Sequence, residues 1–378
     1  MRDKVMTDVI DVCIVAHTHW DREWYHSAPR FRQRLMALVD ALLEDDPTIT
    51  RPFLLDGQAV VLEDYLAVRP ERIGELAERL KIGAIEAGPW YVLADGLIPS
   101  GEAVVRNLLA GRRVLRRLNA VPPGVAYCPD TFGHPAALPF IASEFGFPVA
   151  IVWRGLGGVR SPHGDVIQWC TKSGESVIAY HLPPDGYEFG SALPTSLNAA
   201  TDRWRNLGAL LHDRSNVGVV LVTNGADHHA QQPDLDAAIQ ALQTAALPDR
   251  VIRTSLSDFA NRLQKAVNEK GESLPTITGE LRDSYGYTWT LNGTFGTRAA
   301  QKRDNARAER ALLRDVEPWL VLAWLHGNAT ENRISRDGSI SMAQTPALLD
   351  VAWRTLLRAH PHDTLCGCSI DAVALAMN

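Results

Sequence analysis

The 378-residue sequence predicts an α/β protein in two parts, a β/α barrel over residues 1–275 and the start of a helical bundle over 276–378. Three observations carry that reading. Strand-like apolar runs alternate with helical patterns as far as Thr276, the order expected of βα units building a mainly parallel sheet. Strand exits carry Asp or Arg at Asp130, Arg154 and Asp227, and a barrel gathers a site from distant sequence at the carboxyl ends of its strands. Beyond Thr276 the alternation gives way to long helical patterns, which implies helices packed on the barrel.

The elements follow in order. Val12-Cys13-Ile14-Val15-Ala16 is a buried strand, and Phe31 to Leu43 repeats apolar residues at three and four as a helix does. Phe53-Leu54-Leu55-Asp56 ends a short strand, Val60 to Leu66 is helical, and Pro70 opens a helix reaching about Lys81. Pro89 to Asp95 reads as a strand and loop rich in aromatics, and Glu102 to Leu118 as a helix. Gly124 to Cys128, Val149 to Gly155 and Val217 to Thr223 are further strands. Arg303 to Leu325 and Leu348 to His360 are long helices joined by a polar connection, Glu331 to Met342. The chain stops at Asn378 in a sequence that still reads as helix.

Composition narrows the function. With 46% hydrophobic and 22% charged residues the chain is an ordinary globular one, and its net charge of -6 with no Lys/Arg-rich run makes nucleic acid and an anionic membrane unexpected partners. No apolar run spans a bilayer, and the acids scattered through Met1 to Asp8 are the wrong build for a secretory signal. Five cysteines, an odd and sparse set, suit a reducing cytoplasm, which is the expected location. Cys366-Gly367-Cys368 lacks the spacing of a zinc knuckle or thioredoxin motif and reads as free thiols.

Chemistry concentrates at His17-Thr18-His19-Trp20-Asp21-Arg22-Glu23-Trp24, which sets metal-ligand side chains and an aromatic platform directly after the first strand. Each residue alone has an ordinary explanation. His17 tunes or orients its neighbours, Asp130 between Pro129 and Thr131 suits a turn or cap, His362 suits a helix end, and His228 and His229 suit a loop. Their joint occurrence is what argues for a site.

Three blocks, His17 to Tyr25, Pro129-Asp130-Thr131-Phe132-Gly133 and His360-Pro361-His362-Asp363, together resemble the signature of family 38 glycoside hydrolases, the zinc-dependent retaining α-mannosidases. Leu55-Asp56-Gly57-Gln58, Glu63-Asp64-Tyr65, Gly88-Pro89-Trp90-Tyr91 and Val105-Arg106-Asn107-Leu108 most resemble the bacterial branch containing mannosylglycerate hydrolases. The resemblance implies about seven mainly parallel strands in the barrel, with a zinc ligand supplied from the helical region. It implies zinc held by His19, Asp21, Asp130 and His362, with Asp130 also the nucleophile and Asp227 the general acid/base. Trp24 would be the sugar-stacking platform, Arg154 a base orienting the nucleophile, and Asp363 a partner of a sugar hydroxyl or of the adjacent ligand. Tyr187, Asp95 and Arg298 are further candidates, for which a structural role weighs at least as much. Retention places the two catalytic carboxyl groups roughly 5 to 5.5 Å apart.

The expected substrate is a terminal α-mannoside, either mannosylglycerate or an oligomannoside, and Trp90, Tyr91, Arg154 and Arg160 suit both. The alternatives are a zinc-dependent carbohydrate deacetylase, in which the metal activates water, and an inactive carbohydrate-binding fragment. Members of the family continue into large β-sandwich domains, and none follows here. Uncovered apolar helix surface then predicts a homo-oligomer or reduced activity.

Overall fold

A computed structural model describes residues 9–46, 51–157, 164–284, 287–288, 290–329 and 345–377. The chain enters through β1 (Asp11–His17), buried along almost its whole length. Helix α1 (Ala28–Glu44) begins three residues before the expected Phe31, because Pro29 is accommodated in its first turn, where no intrahelical donor is needed. Its Phe31, Leu35, Leu38, Val39 and Leu42 face the core. There follow β2 (Phe53–Leu54), α2 (Val60–Leu66), α3 (Ile73–Lys81) and β3 (Ile85–Glu86).

The aromatic stretch Pro89 to Asp95 is not a strand as expected; it makes only isolated bridges, Trp90 to Gln58 and Ala94 to Pro361. The reason lies in α4 (Gly101–Arg117), whose Asn107 substitutes for a neighbouring strand. Its Oδ1 accepts from the Tyr91 and Val92 amides at 2.9 Å each, and its Nδ2 donates to the Val92 carbonyl at 2.9 Å. Gly111 lets the helix come that close, since a Cβ there would sit 2.2 Å from the Pro89 carbonyl oxygen.

The chain continues with β4 (Val125–Cys128), α5 (Leu138–Glu144), β5 (Val149–Val152), β6 (Val166–Cys170), β7 (Ser176–His181), α6 (Leu197–Arg214), β8 (Val219–Asn224), α7 (Leu235–Ala245), β9 (Arg250–Arg253), α8 (Leu256–Lys270) and β10 (Thr276–Thr278). One sheet is ordered β3-β2-β1-β8, with β9 also on β1, and is parallel throughout. The other is ordered β10-β6-β7-β5-β4 and is parallel except for the β6–β7 hairpin. Cys13, Val15 and Leu54 of the first sheet share one buried cluster with Tyr127, Ile151 and Tyr180 of the second. Among the described residues no ladder joins the two sheets into one closed barrel, so the architecture is mixed α/β with parallel-strand sheets.

The expected Arg303–Leu325 helix is three pieces: α9 (Ala299–Arg310), a π-helical stretch Ala311–Val316, and α10 (Glu317–Ala329). On α10, Trp319, Val321, Leu322, Trp324 and Leu325 are all exposed. The expected connection Glu331 to Met342 lies outside the described residues. Helix α11 (Thr345–Leu357) carries the expected second long helix, and α12 (His362–Cys366) and α13 (Asp371–Ala376) follow. Arg354 and Arg358 pair with Glu63 at 2.9 and 3.0 Å, and the His362 amide donates to the Leu93 carbonyl at 2.9 Å. These contacts bring the C-terminal segment back to the strand exits. Among the described residues no helix is long and apolar enough to cross a membrane.

Candidate active site

Beyond β1 the backbone is held between two strands: the Thr18 amide donates to Leu54 of β2 and the His19 amide to Ala226 beyond β8. His17 is turned out of the site, its Nε2 2.9 Å from the Tyr187 carbonyl, and burial pushes its pKa down to about 4. It positions rather than ligates. His19 points the other way, with Nδ1 3.3 Å from Asp56 Oδ2.

Asp56 is the residue that the motif reading passed over. It sits at the exit of β2 with φ +78°, a region tolerated by Asp better than by most residues. Its Oδ2 accepts from the Trp20 amide at 2.9 Å and from Gln58 Nε2 at 3.0 Å, and Oδ1 accepts from the Gly57 amide at 2.8 Å. A carboxylate behind an imidazole fixes the ring and leaves its far nitrogen free to coordinate. The sequence offers Leu55-Asp56-Gly57-Gln58 only as a block of resemblance with no role attached, and an acid at the end of a two-residue strand does not mark one.

His19, Asp21, Asp130 and His362 converge. His19 Nε2 lies 3.1 Å from Asp21 Oδ1, and His362 Nε2 lies 3.3 Å from both Asp21 Oδ1 and Asp130 Oδ2. All four residues are buried, yet His19 Nε2, Asp21 Oδ1 and His362 Nε2 have no partner in hydrogen-bond geometry. Buried polar atoms are normally satisfied, so a group of such atoms around one point could hold a cation. His362 Nδ1 is 3.2 Å from the Leu93 carbonyl, which turns Nε2 toward the group. Overlapping sets, His19 with Asp130 and His362, His19 with Asp21 and Asp227, and Asp21 with His362 and Asp363, each hold ligand atoms within 4.8 Å of one another. Two imidazoles and two carboxylates form a donor set that zinc accepts.

Asp130, just beyond β4, divides its oxygens between two neighbours. Arg154, beyond β5, donates to Oδ1 from Nε at 2.7 Å and ion-pairs with the same oxygen through Nη2 at 2.5 Å, leaving Oδ2 toward His362. Burial alone would raise this carboxyl, but the guanidinium of Arg154 and the ring of His362 outweigh it and hold the pKa below the usual range. Asp227 behaves oppositely. Burial, with the charges of Asp21 and Asp130, raises its pKa, although Tyr187 Oη donates to its Oδ1 at 2.9 Å. Two carboxyls pushed apart in this way are the arrangement of an acid and a nucleophile. Gly225 permits the approach of the Asp227 loop, because a Cβ there would lie 1.9 Å from the His17 carbonyl oxygen.

The other candidates sort differently. Asp363 is buried beside His362 at 3.5 Å and accepts from Cys368 Sγ at 2.8 Å; burial and the charge of Asp21 raise its pKa well above the carboxylate range. Trp24 is half-buried, its ring edge-on to Tyr25 and its carbonyl accepting from the Ile370 amide at 3.0 Å. Asp95 caps the Leu97 and Ile98 amides, and Arg298 clasps the carbonyls of Gly367 and Ser369, so both shape loops. His228 stacks on Phe31 with centroids 4.1 Å apart and reaches the Asp21 carbonyl at 3.1 Å, making it a support for a ligand loop rather than a bystander. Arg160 lies outside the described residues.

The family model described as "Glycosyl hydrolases family 38 N-terminal domain" matches residues 9–280, and the "Alpha mannosidase middle domain" matches 289–378. A protein of Halalkalibacterium halodurans assigned as a mannosylglycerate hydrolase is 34% identical across 95% of this chain, and human alpha-mannosidase 2C1 is 28% identical across the same share. This chain spans 39% and 32% of their respective lengths. A crystal structure of an alpha-mannosidase from Enterococcus faecalis V583 superposes with TM-score 0.86 and 31% identity, covering 97% of this chain and 40% of that one. With its convergent His and Asp residues at the strand exits and a family match running from residue 9 to residue 280, the chain belongs to glycoside hydrolase family 38.

Proposed function

We propose that this chain carries the catalytic unit of a zinc-dependent retaining α-mannosidase, with a barrel domain over 1–275 and a helical region over 276–378 that supplies one ligand. The observation that carries the proposal is the set of buried, hydrogen-bond-orphaned atoms on His19, Asp21 and His362 facing Asp130 Oδ2. His19, Asp21, Asp130 and His362 would hold the metal. When bound, zinc supplies Lewis-acid contacts to adjacent sugar hydroxyls, which suits the cis-related O2 and O3 of mannose.

The protein residues then divide the work. Asp130, kept ionised by Arg154, attacks the anomeric carbon and forms a glycosyl ester. Asp227, its pKa raised by burial and by its acidic neighbours, gives its proton to the departing oxygen and then takes one from the water that cleaves the ester. Tyr187 fixes the Asp227 carboxyl. Asp363 binds a sugar hydroxyl, and Trp24 offers its face to the ring. The relatives named for mannosylglycerate and for α-mannosides support a terminal α-mannoside as substrate.

Elemental analysis of zinc-equilibrated protein should find about one zinc per chain, lost in both Asp130→Ala and His362→Ala. Incubation with a slow fluorinated α-mannosyl fluoride should leave a mannosyl ester on the peptide containing Asp130. A metal-free wild type would sink the reading, and an unmodified Asp130 in a metal-loaded, turning-over enzyme would transfer it to a water-activating hydrolase such as a deacetylase.

A further inference from the structure

Beside the proposed metal ligands lies a pair of thiols with no part in that chemistry. Cys366 Sγ, at the end of α12, is 3.4 Å from Cys368 Sγ, and Cys368 Sγ is 2.8 Å from Asp363 Oδ1. Gly367 between them has φ +85°, and a Cβ there would meet Arg298 Cδ at 2.9 Å and Thr297 Oγ1 at 3.0 Å, so the turn that sets the sulfurs face to face requires glycine. The loop is pinned on both sides. The Cys366 carbonyl accepts from Thr297 Oγ1 at 2.9 Å and Lys302 Nζ at 2.8 Å, and the carbonyls of Gly367 and Ser369 accept from Arg298 at 3.2 and 2.7 Å. Cys366 is buried, whereas Cys368 is half-exposed. Cys13 and Cys128 are buried, and Cys170 is separated from the pair in sequence and fold.

We propose that Cys366 and Cys368 form a reversible disulfide, a modification site that switches the neighbouring carboxyl of Asp363. The sulfurs must close by about 1.3 Å to reach a disulfide bond length. The more accessible Cys368, as thiolate, attacks the S–S bond of a low-molecular-weight disulfide and releases one thiolate. Cys366, as thiolate, then attacks Cys368 Sγ in the mixed disulfide and releases the second. The two electrons leave with the oxidant as two thiols, which take up the two protons. Oxidation removes the S–H that donates to Asp363 Oδ1 and draws Cys368 toward Cys366. A carboxyl 3.5 Å from His362 then loses its donor, and the sugar-binding geometry changes with it. That last step rests on the function proposed above, while the thiol chemistry does not.

The test treats the zinc-loaded chain with excess oxidised glutathione and follows two readouts. Tryptic cleavage after Arg358 gives a peptide, residues 359–378, that holds both cysteines and no other. In wild type it should lose two hydrogens and carry no glutathione, and dithiothreitol should restore it. Cys366→Ser should instead trap one glutathione on Cys368, and Cys170→Ser should behave as wild type. α-Mannosidase kcat/KM should fall by up to about tenfold on oxidation, the upper end of what one lost hydrogen bond contributes, and recover on reduction. A peptide that stays reduced, or that takes up two glutathiones, overturns the proposal in wild type without recourse to variants. Zinc above one equivalent that shields both thiols overturns it in favour of a thiolate metal site. A disulfide that forms with unchanged kcat/KM removes the switch. A chain inactive in both redox states refutes the α-mannosidase reading while the peptide masses still decide the thiol chemistry.

Discussion

Replacing Arg154 with Met removes both guanidinium donors from Asp130 Oδ1 while keeping much of the side-chain volume. The two contacts, at 2.7 and 2.5 Å, join residues that are each about nine-tenths buried. A hydrogen bond to a charged group contributes roughly 1.5–3 kcal/mol, and breaking a buried pair by removing one partner costs about 3–5 kcal/mol. Asp130 would recover part of that cost by taking a proton, which disables it as a nucleophile. If about 3 kcal/mol of the loss is felt in the transition state, kcat/KM on an aryl α-mannoside falls on the order of 10²-fold. Arg154→Lys keeps the charge without the planar fork and should fall between, about tenfold down. Both variants are measured zinc-loaded, with urea midpoints taken in parallel to separate lost stability from lost catalysis. An Arg154→Met enzyme within twofold of wild type would refute the claim that this pair sets the nucleophile.

Three further outcomes follow from the geometry. Gly225→Ala drives a Cβ into the His17 carbonyl, and chemical denaturation should show a loss of about 2 kcal/mol with activity down more than tenfold, since Asp227 sits two residues on; a fully active variant would mean that the loop tolerates displacement. Asp165, fully buried, has its pKa pushed up to about 7 by desolvation, against Arg214. Because the folded state keeps that proton longer than the unfolded one, stability should fall as pH rises from about 4 to about 7, by at most about 4 kcal/mol from this residue. Asp165→Asn should flatten that slope in urea titrations at pH 5 and 8, and parallel slopes in the two proteins would discard the argument. Trp319→Glu with Trp324→Glu should lower the mass seen by sedimentation if the exposed apolar face of α10 drives self-association, and a wild type that is monomeric at high concentration would remove that expectation.

How much could be read beforehand depended on how locally each feature is encoded. His19 and Asp21 were legible as candidates because they follow β1 directly in the chain, and His362-Asp363 because the whole block is compact. Asp56 was not, since its task is defined by Trp20, Gln58 and His19, which only folding brings to it. Pro89 to Asp95 has the composition of a strand, yet its backbone partner is an amide on α4, which no periodicity records. The β6–β7 hairpin was missed because each strand alternates buried with less buried positions over only about four residues, too short a stretch on either side of the polar turn Thr171 to Glu175 to mark a strand. The helix from Arg303 was continuous in pattern, and its π-helical interruption carries no proline or glycine to announce it.

His362 meets Leu93 across 269 positions of chain, and Thr364 meets Glu23 across 341. During synthesis the N-terminal portion emerges first and begins to fold as a unit, so β1 through β10 can be in place while His362 is still on the ribosome. The cluster of His19, Asp21, Asp130 and His362 is therefore among the final parts of this region to exist, and its appearance reports that one end of the region has found the other.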